Sequence, residues 1–355
     1  MLHGNYNADR AAVSLRRLGR PLPRRVLVLR ALQLGDLLCA VPAFRALRTA
    51  LPETEIILVG LPWARMLVER YPNYLNGFRP LPGYPGLPEQ PPQPQELPAF
   101  LSAIQAEKFD LALQLHGSGT ITNPLCCLFG ARLTAGFYAQ GGYRPDPERF
   151  MPWPEHGLEL RRLLALLEFL GIPACGEDLE FPLRARDHES LHAIDGTREL
   201  RPGRYVCIHP GASVPERRWP VERFAVVARA LETHGLRVVL TGNSAERELT
   251  SAIAQHLTLP PLDLAGRTDL GALGALLSGV RLLVCNDTGV AHLAAALRVP
   301  SVIVSTGDNP ERWAPVDARR HRVLCRDVGV ETDEVLRAAA EFLRGDGRPA
   351  SAIAV

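Results

Sequence analysis

Two series of alternating strand and helix patterns constrain the fold of this 355-residue chain more than any other feature. The first series begins with a run of β-branched and leucine residues at 26–30, continues with apolar residues of helical spacing at 37–50, and returns to a strand pattern at 55–59. A strand at 109–115 and a leucine-rich helix at 159–170 are expected next. Such alternation predicts a parallel β-sheet with helices packed on its faces.

A second series of the same kind follows residues 171–203, where glycines, prolines and charges show little periodicity. At roughly 150 residues per domain, the length also favours two domains. In the second series, strands are expected at 205–208, 236–240, 282–285 and 301–304, and helices at 221–233 and 332–343.

These patterns predict two doubly wound, parallel-sheet α/β domains that face a cleft, with ligands bound at the carboxyl ends of the strands. The break in periodicity is where a domain boundary is expected. The predicted organisation is a flexible basic leader at 1–24, a domain at 25–180, a linker at 181–203, a second domain at 204–330, and a closing helix and tail at 331–355.

Composition narrows the class of protein. Hydrophobic residues make up 46% of the chain and charged residues 22%, so it can bury a core, which excludes disorder for most of its length. No apolar run reaches the roughly 18 to 20 residues of a membrane-spanning helix, and the first residues are polar where a signal peptide would be apolar. We therefore expect a cytoplasmic protein. A formal charge of only +2 argues against a nucleic-acid binder.

Arginine replaces lysine almost throughout, since Lys108 is the only lysine. Two interpretations of the arginine-rich leader stay open: a solvated segment, or a weak anchor for an anionic membrane surface, where each basic residue contributes about 1 kcal/mol. The seven cysteines form no CxxC pair. We expect them to be reduced thiols in the core rather than disulfides or zinc ligands.

The carboxyl end of the first predicted strand carries one carboxylate. Asp36 follows Gly35 in a predicted loop, at or just before the start of the next helix. Aspartate is a common N-cap residue, so a capping role and a catalytic role are both open here. The segment lacks the GxGxxG pattern, which argues against a nicotinamide dinucleotide site.

The strand pattern at 282–285 is followed by Asn-Asp-Thr-Gly and a short helix of small residues. A helix N-terminus offers unpaired N–H groups and a partial positive charge, both of which suit a diphosphate. Thr288 and His292 lie four residues apart and are expected to share a helix face, while Gly289 allows close approach of a ligand. The alternative is that Asp287 only caps the helix and His292 only packs in the core.

Three more loops follow predicted strands. The first contains His-Pro-Gly-Ala-Ser, ending at Ser213, and then Arg-Arg-Trp-Pro. Arg217 and the arginine after it form either a cationic clamp for phosphate oxygens or a solvated pair. Glu246 lies in the second loop, and Arg267 and Thr268 lie in the third. These last two loops indicate little by themselves.

Taken in this order, the motifs resemble glycosyltransferase family 9, the ADP-heptose:lipopolysaccharide heptosyltransferases. The resemblance spans roughly residues 25–315. It rests on the Gly35-Asp36 loop with Pro42, on HPGAS and RRWP, on LAGRT, and above all on NDTGVAHLAAAL. It implies the GT-B fold, in which two Rossmann-like domains face a cleft and the second binds most of the donor.

The resemblance also implies a mechanism. Asp36 would be the general base in an inverting, metal-independent transfer of a heptose from ADP-heptose to a lipopolysaccharide core or related glycan, with no cofactor. Asp287 would hold the donor sugar, and Glu246, Arg267 and Thr268 would lie at the nucleoside. The expected diphosphate contacts are Ser213, Arg217, Thr288, Gly289 and His292.

Departures from the family pattern leave specificity open. Arg217 stands where lysine is common, and Ser305-Thr306-Gly307 replaces a glycine-bearing turn. Residues 80–98 hold eight prolines and are predicted to form a surface excursion. The alternatives are a family member with another nucleotide sugar or acceptor, for capsule or glycoprotein glycans, and a non-catalytic nucleotide-sugar-binding protein. Expected partners are the donor, a glycolipid or glycan acceptor and, on the second interpretation of the leader, the inner face of the cytoplasmic membrane.

Overall fold

The computed structural model describes residues 15–307, 309–326 and 329–344. The chain divides between Glu177 and Asp178 into two compact units, which we call the first and second units. Each is built on its own parallel sheet flanked by helices. The predicted α/β class with two parallel sheets is therefore confirmed.

The first sheet has six parallel strands: β1 (Arg25–Leu29), β2 (Glu55–Gly60), β3 (Gly77–Pro80), β4 (Leu111–Gln114), β5 (Leu133–Tyr138) and β6 (Phe150–Pro152). Their order is β3-β2-β1-β4-β5-β6. Residues 26–29 in the centre of the sheet are completely buried, as expected of a strand covered on both faces. The order reverses between β1 and β4, so the switch point of this sheet lies there.

The helices of the first unit are α1 (Leu34–Ala50), α2 (Arg65–Val68), α3 (Leu97–Ala106), α4 (Thr122–Leu128) and α5 (Glu159–Phe169). Helix α1 packs against α5. It begins earlier than predicted, because Leu37 N–H donates to the carbonyl oxygen of Gln33 at 3.0 Å. Asp36 therefore lies in the first turn of a helix rather than in a loop. A carboxylate is favourable there because the helix N-terminus carries a partial positive charge.

The second sheet also has six parallel strands: β7 (Tyr205–His209), β8 (Arg237–Leu240), β9 (Leu262–Asp263), β10 (Leu282–Asn286), β11 (Ser301–Ser305) and β12 (His321–Cys325). Their order is β12-β11-β10-β7-β8-β9. Read from the other side, it is the same sequential order of strands as in the first sheet. Here the switch point lies between β7 and β10.

The second unit packs helices on both faces of its sheet. Trp219 is buried at the centre of the core, with its ring 5.0 Å from that of Phe224. The closing helix, predicted at 332–343, packs against the central strands and belongs to this unit. The helices are α6 (Ala185–His192), α7 (Val221–Glu232), α8 (Arg247–Ala254), α9 (Leu270–Ser278), α10 (Gly289–Ala296), α11 (Pro310–Trp313) and α12 (Thr332–Arg344).

The segment 181–203 is not the linker that its irregular sequence suggested. It contains α6, which packs against α9, and the ring of Phe181 leaves no room for a Cβ at Gly274, which would lie 2.6 Å from it. The side chain of Asp187 accepts a hydrogen bond from the backbone N–H of Arg184 at 2.8 Å and fixes the start of α6. Burial of Phe181 and Leu191 holds this segment in the second unit.

The predicted flexible leader is also partly structured. Residues 1–14 lie outside the described residues, but Leu15–Leu18 form a 3₁₀ turn with Leu18 completely buried. Arg17 donates to the carbonyl oxygen of Phe169, and its guanidinium stacks on that ring at 4.1 Å. This part of the leader is thus packed on the first unit. Of the predicted tail, residues 345–355 lie outside the described residues.

Candidate active site

Hydrogen bonds join the loops at the carboxyl edge of the second sheet. Asn286, the last residue of β10, is completely buried. Its side-chain nitrogen donates to the carbonyl oxygens of Pro210 (2.7 Å) and Gly211 (3.3 Å), and its oxygen accepts from the backbone N–H of Trp219 at 2.9 Å. One amide therefore fixes the loops on both sides of the switch point, where doubly wound sheets bind ligands.

The N-terminus of α10 opens onto this edge. Thr288 is the N-cap residue, and its hydroxyl accepts a hydrogen bond from the backbone N–H of Val290 at 3.3 Å. Asp287 is not the cap; its carboxylate accepts a 3.4 Å hydrogen bond from the Ser305 hydroxyl at the end of β11. The helix terminus thus presents its partial positive charge beside a half-buried carboxylate.

His292 lies one turn into α10 and is only 5% exposed. Its ring packs edge to face on Trp313, with ring centroids 6.1 Å apart. The guanidinium of Arg312 lies over the Trp313 ring, 4.6 Å from its centroid. The histidine is therefore held in packed surroundings, as the core-packing alternative predicted, and its contact with a donor stays a prediction.

Glu246 lies beneath the loop that follows β7. It is 5% exposed, and its carboxylate accepts a hydrogen bond from the backbone N–H of Asn243 at 2.8 Å. A Cβ on Gly211 would lie 2.1 Å from Glu246 Oε1, so only glycine lets the two loops approach this closely. Burial lowers the pKa of the adjacent His209, although the negative charge of Glu246 opposes this shift. The Glu246 carboxylate is thus buried beneath the loops at the carboxyl edge of the second sheet.

The cationic residues lie in the loop between β7 and α7. Arg217 ends a 3₁₀ turn and is half-buried, whereas Ser213 is exposed. The guanidinium of Arg218 donates to a carbonyl oxygen of its own loop at 3.2 Å. The hydroxyl of Thr306 donates to the carbonyl oxygen of Glu216 at 3.3 Å and so connects this loop to the end of β11. Both arginines therefore lie on a loop that three strand ends position.

The loop after β9 carries the remaining predicted residues of this unit. Gly266, at a positive φ of 68°, donates through its N–H to the carbonyl oxygen of Gly242 at 2.8 Å. The next two residues are an exposed Arg267 and a half-buried Thr268. The guanidinium of Arg267 makes long hydrogen bonds, of 3.3 and 3.5 Å, to backbone carbonyl oxygens. All the predicted donor residues thus lie at one edge of one sheet.

The first unit places Asp36 after β1, beside its own switch point. The side chain of Arg30, completely buried, donates to the carbonyl oxygens of Asp36 (2.8 Å) and of Leu115. Its guanidinium also lies 3.2 Å from a Glu159 oxygen, and Glu159 is 1% exposed. A buried ion pair therefore supports the turn that carries Asp36.

His116 fixes the same turn from the other side of the switch point. Its Nδ1 accepts a hydrogen bond from the backbone N–H of Ala31 at 3.2 Å, so a ring proton lies on Nε2. That nitrogen lies 3.7 Å from the carboxylate of Glu89. Although burial raises the pKa of the Glu89 carboxyl, the nearby His116 ring and a backbone hydrogen bond lower it overall.

Comparison with known proteins identifies the family. The profile of glycosyltransferase family 9 (heptosyltransferase) matches residues 99–334. The chain belongs to glycosyltransferase family 9. It is 26% identical to lipopolysaccharide heptosyltransferase 2 of Escherichia coli over 84% of this chain and 87% of that protein.

Two solved structures show the same fold. The family 9 glycosyltransferase of Veillonella parvula superposes with a TM-score of 0.78 at 23% identity, covering 90% of this chain and 97% of that one. The E. coli ADP-heptose lipopolysaccharide heptosyltransferase II superposes with a TM-score of 0.72 at 22% identity, covering 90% and 98%. The predicted family, glycosyltransferase activity and GT-B fold class are confirmed.

The sequence interpretation of this family 9 enzyme missed three residues that hold the site together. Asn286 was recognised only as part of a turn, although a polar residue that ends a completely apolar strand often indicates a buried network. Arg30 was assigned to a strand, and its burial against Glu159 follows from contacts that are distant in sequence. Trp313 has no local pattern that would place it against His292. Among the described residues, no group of three histidines, cysteines or carboxylates is arranged to hold a metal ion.

Proposed function

We propose that this glycosyltransferase moves a heptose from ADP-heptose to a lipopolysaccharide core or a related glycan. Family membership supports heptosyl transfer, and the relatives compared above are named for ADP-heptose and for lipopolysaccharide. The observation that carries the donor assignment is the network around Asn286, which holds the HPGAS loop and the start of α10 together.

In the proposed mechanism, the second unit binds the leaving group. As the bond between the anomeric carbon and the ADP oxygen breaks, negative charge grows on the diphosphate. Arg217 and the N–H groups at the start of α10, beginning at Gly289, supply fixed positive charge there. Ser213, Thr288 and His292 complete the proposed contacts. Because these groups are already in place, no metal ion is needed to neutralise the leaving group.

Asp36 is the proposed general base. Its carboxylate removes the proton of the acceptor hydroxyl as that oxygen attacks the anomeric carbon, and ADP departs from the opposite face, which inverts the configuration. Support comes from the position of Asp36 at the carboxyl edge of the first sheet and from Arg30, which holds the turn rigid.

The remaining roles concern donor recognition. We assign Asp287 to hydroxyl groups of the donor sugar, since it lies beside the helix terminus. Glu246 is the proposed ribose contact, because its buried carboxylate lies against the loop that follows β7. Arg267 and Thr268 lie at the outer side of this edge and are proposed to contact the nucleoside.

We further propose that the enzyme works in the cytoplasm, at the inner face of the membrane. No helix in the described part of the chain is long and apolar enough to cross a bilayer. Arg17 is used within the first unit, whereas Arg16 and Arg24 are exposed and are available to an anionic surface. Sedimentation with phosphatidylglycerol vesicles, compared with phosphatidylcholine vesicles, tests this membrane contact.

A transfer assay tests the proposed function. The protein is incubated with ADP-heptose, or with other nucleotide sugars, and with lipopolysaccharide from core-truncated bacteria, and the products are analysed by mass spectrometry. We expect transfer from ADP-heptose only, and thermal stabilisation by ADP-heptose above that by other nucleotide sugars. Transfer from another donor would correct the substrate, and donor binding without transfer to any acceptor would favour a non-catalytic protein.

A further inference from the structure

The proline-rich segment, which the resemblance left unexplained, forms an ordered loop on the first unit. Gly83 lies so close to Pro91 that a Cβ there would be 1.7 Å from the Pro91 carbonyl oxygen. The backbone N–H of Gln93 donates to the carbonyl oxygen of Gly83 at 2.9 Å. The side-chain amide of Gln90 donates to the carbonyl oxygen of Leu81 at 2.6 Å. The segment is thus closed on itself by its own contacts.

This loop is also attached to the turn that precedes Asp36. Glu89 lies in the middle of the proline-rich segment, and its carboxylate faces His116 Nε2 at 3.7 Å. His116 in turn accepts the backbone N–H of Ala31. A short chain of contacts therefore connects the loop with the carboxyl edge at β1.

A cavity of about 490 Å³ lies between the loop, the end of β3 and helix α3. Its volume falls within the range of small-molecule sites, about 300 to 1,000 Å³. Its lining combines apolar and polar side chains, several of which are exposed. The apolar lining residues include Pro62, Pro80, Pro82 and Phe100, and the polar ones are Gln90, Gln93, Gln95 and Glu96.

The lining indicates the chemical class of ligand. Among the residues that the structure describes, no lysine, arginine or histidine lines the cavity, and phosphates and carboxylates are usually recognised by such cations. Carboxamides both donate and accept hydrogen bonds, which matches the paired hydroxyl groups of a sugar. The Gln90 amide already donates to the Leu81 carbonyl oxygen and the Gln93 amide pairs with Glu96, so Gln95 is the main candidate for this contact. The proline and phenylalanine surfaces suit the C–H faces of a sugar ring. A neutral saccharide fits this combination better than an anionic ligand.

The cavity lies at the same edge of the sheet as Asp36. Pro80 is the last residue of β3, and Pro62 follows β2. In the sheet order, β3 is two strands away from β1. At about 4.8 Å per strand, the ends of β3 and β1 are about 10 Å apart, a distance that a disaccharide spans.

We propose that this cavity is a subsite for a neutral sugar of the acceptor, one or more residues away from the hydroxyl that is glycosylated. The assignment to the acceptor rests on the proposed function, whereas saccharide binding in the cavity does not. The proline-rich loop thereby determines which acceptors are used, and the glutamine side chains provide the selectivity.

Direct binding tests the cavity by itself. The probe is core oligosaccharide released from lipopolysaccharide by mild acid and then dephosphorylated, titrated into the full-length protein by calorimetry. Ala99→Trp fills the cavity and should weaken binding at least tenfold, and Gln95→Ala should weaken it about fivefold through loss of one hydrogen bond. Ala106→Trp lies on the same helix, about 10 Å further along its axis, and should leave binding unchanged, as should Gln255→Ala in the second unit.

Transfer kinetics test the acceptor role. With ADP-heptose and the same oligosaccharide, Ala99→Trp should raise the acceptor KM at least tenfold and leave kcat within twofold. No oligosaccharide binding, or binding that is insensitive to Ala99→Trp, would overturn the subsite. Binding that is sensitive to Ala99→Trp together with an unchanged KM would overturn its role in acceptor recognition. Sensitive binding without any heptosyl transfer by the unmodified protein would instead refute the proposed function and retain the saccharide site.

Discussion

The two units share one strand order and differ in the chemistry of their carboxyl edges. The first sheet presents the carboxylate of Asp36, in a turn supported by a buried arginine. The second presents a capped helix terminus and a loop that carries two arginines, tied together by Asn286. In the proposed mechanism, the same topology serves a proton acceptor in one unit and an anion site in the other, and the side chains at the strand ends decide which.

The polar groups buried inside the two units differ as well. The first unit buries the ionic groups of Arg30, Glu159 and Arg162, all at most 4% exposed. The second unit buries His209 and His321, and burial lowers the pKa of both. Acid should therefore act first on the second unit, because its buried histidines must take up charge.

The largest effect is expected at the carboxylate of the first unit. Asp36→Asn should lower kcat by about a hundredfold or more, the usual contribution of a general base. Asp333→Asn is the matched control, since Asp333 is an exposed carboxylate in the first turn of a helix in the second unit. Steady-state kinetics at saturating acceptor measure the effect. Near-normal turnover of Asp36→Asn would show that Asp36 is not the general base and that the carboxyl edge of the first sheet has no catalytic role of this kind.

Acid unfolding should separate the buried groups of the two units. Burial lowers the pKa of His321 from 6.5 to about 4, while Asp317 opposes the shift and Arg320 and His292 add to it. The unfolded chain binds the proton first as pH falls, so stability is lost between pH 6.5 and 4. From pH 7 to 5 the loss is about 2 kcal/mol.

Urea unfolding of His321→Asn, which keeps an acceptor for the Ser301 hydroxyl, should show a pH dependence smaller by about this amount. Hydrogen exchange at pH 5 should increase mainly in the second unit. An unchanged pH dependence in the variant would show that His321 is not the titrating group.

A smaller effect is expected at the cationic loop of the second unit. Arg217→Ala should weaken donor binding and lower turnover, each by about tenfold, because the interaction strengthens as charge develops on the leaving group. If positive charge alone is needed, Arg217→Lys should cost little, whereas a need for two parallel hydrogen bonds would make both substitutions damaging. Arg229→Ala, an exposed arginine of α7, is the control. An alanine variant equal to the unmodified enzyme would make Arg217 a solvated charge.

The smallest effect is expected from chelation. If fixed cations and the start of α10 neutralise the diphosphate, transfer should continue in excess EDTA at an unchanged rate. Activity is measured before and after dialysis against the chelator. If chelation abolished transfer and Mg²⁺ restored it, the proposal that protein groups of the second unit alone neutralise the diphosphate would be contradicted.

Local sequence patterns predicted the central strands well, because strands buried on both faces are continuous apolar runs such as residues 26–29 and 282–285. They failed where contacts distant in sequence decide the structure. Helix α6 was taken for a linker because its stability comes from packing on α9, and Asp36 was placed in a loop because Gly35 suggested a break. For the candidate site, the types and order of the residues predicted loops at the carboxyl ends of the strands. The buried hydrogen bonds of Asn286 and Arg30 could not be predicted from the sequence, because their partners are distant along the chain.

The division of labour between the two units is tested most directly by the affinity for ADP alone. Calorimetric dissociation constants for the unmodified enzyme, Asp36→Asn and Arg217→Ala separate leaving-group binding from proton transfer. We predict that Asp36→Asn binds ADP like the unmodified enzyme and that Arg217→Ala binds it about tenfold more weakly. Equal weakening by both substitutions, or weakening by Asp36→Asn alone, would contradict the assignment of the anion site to the second unit.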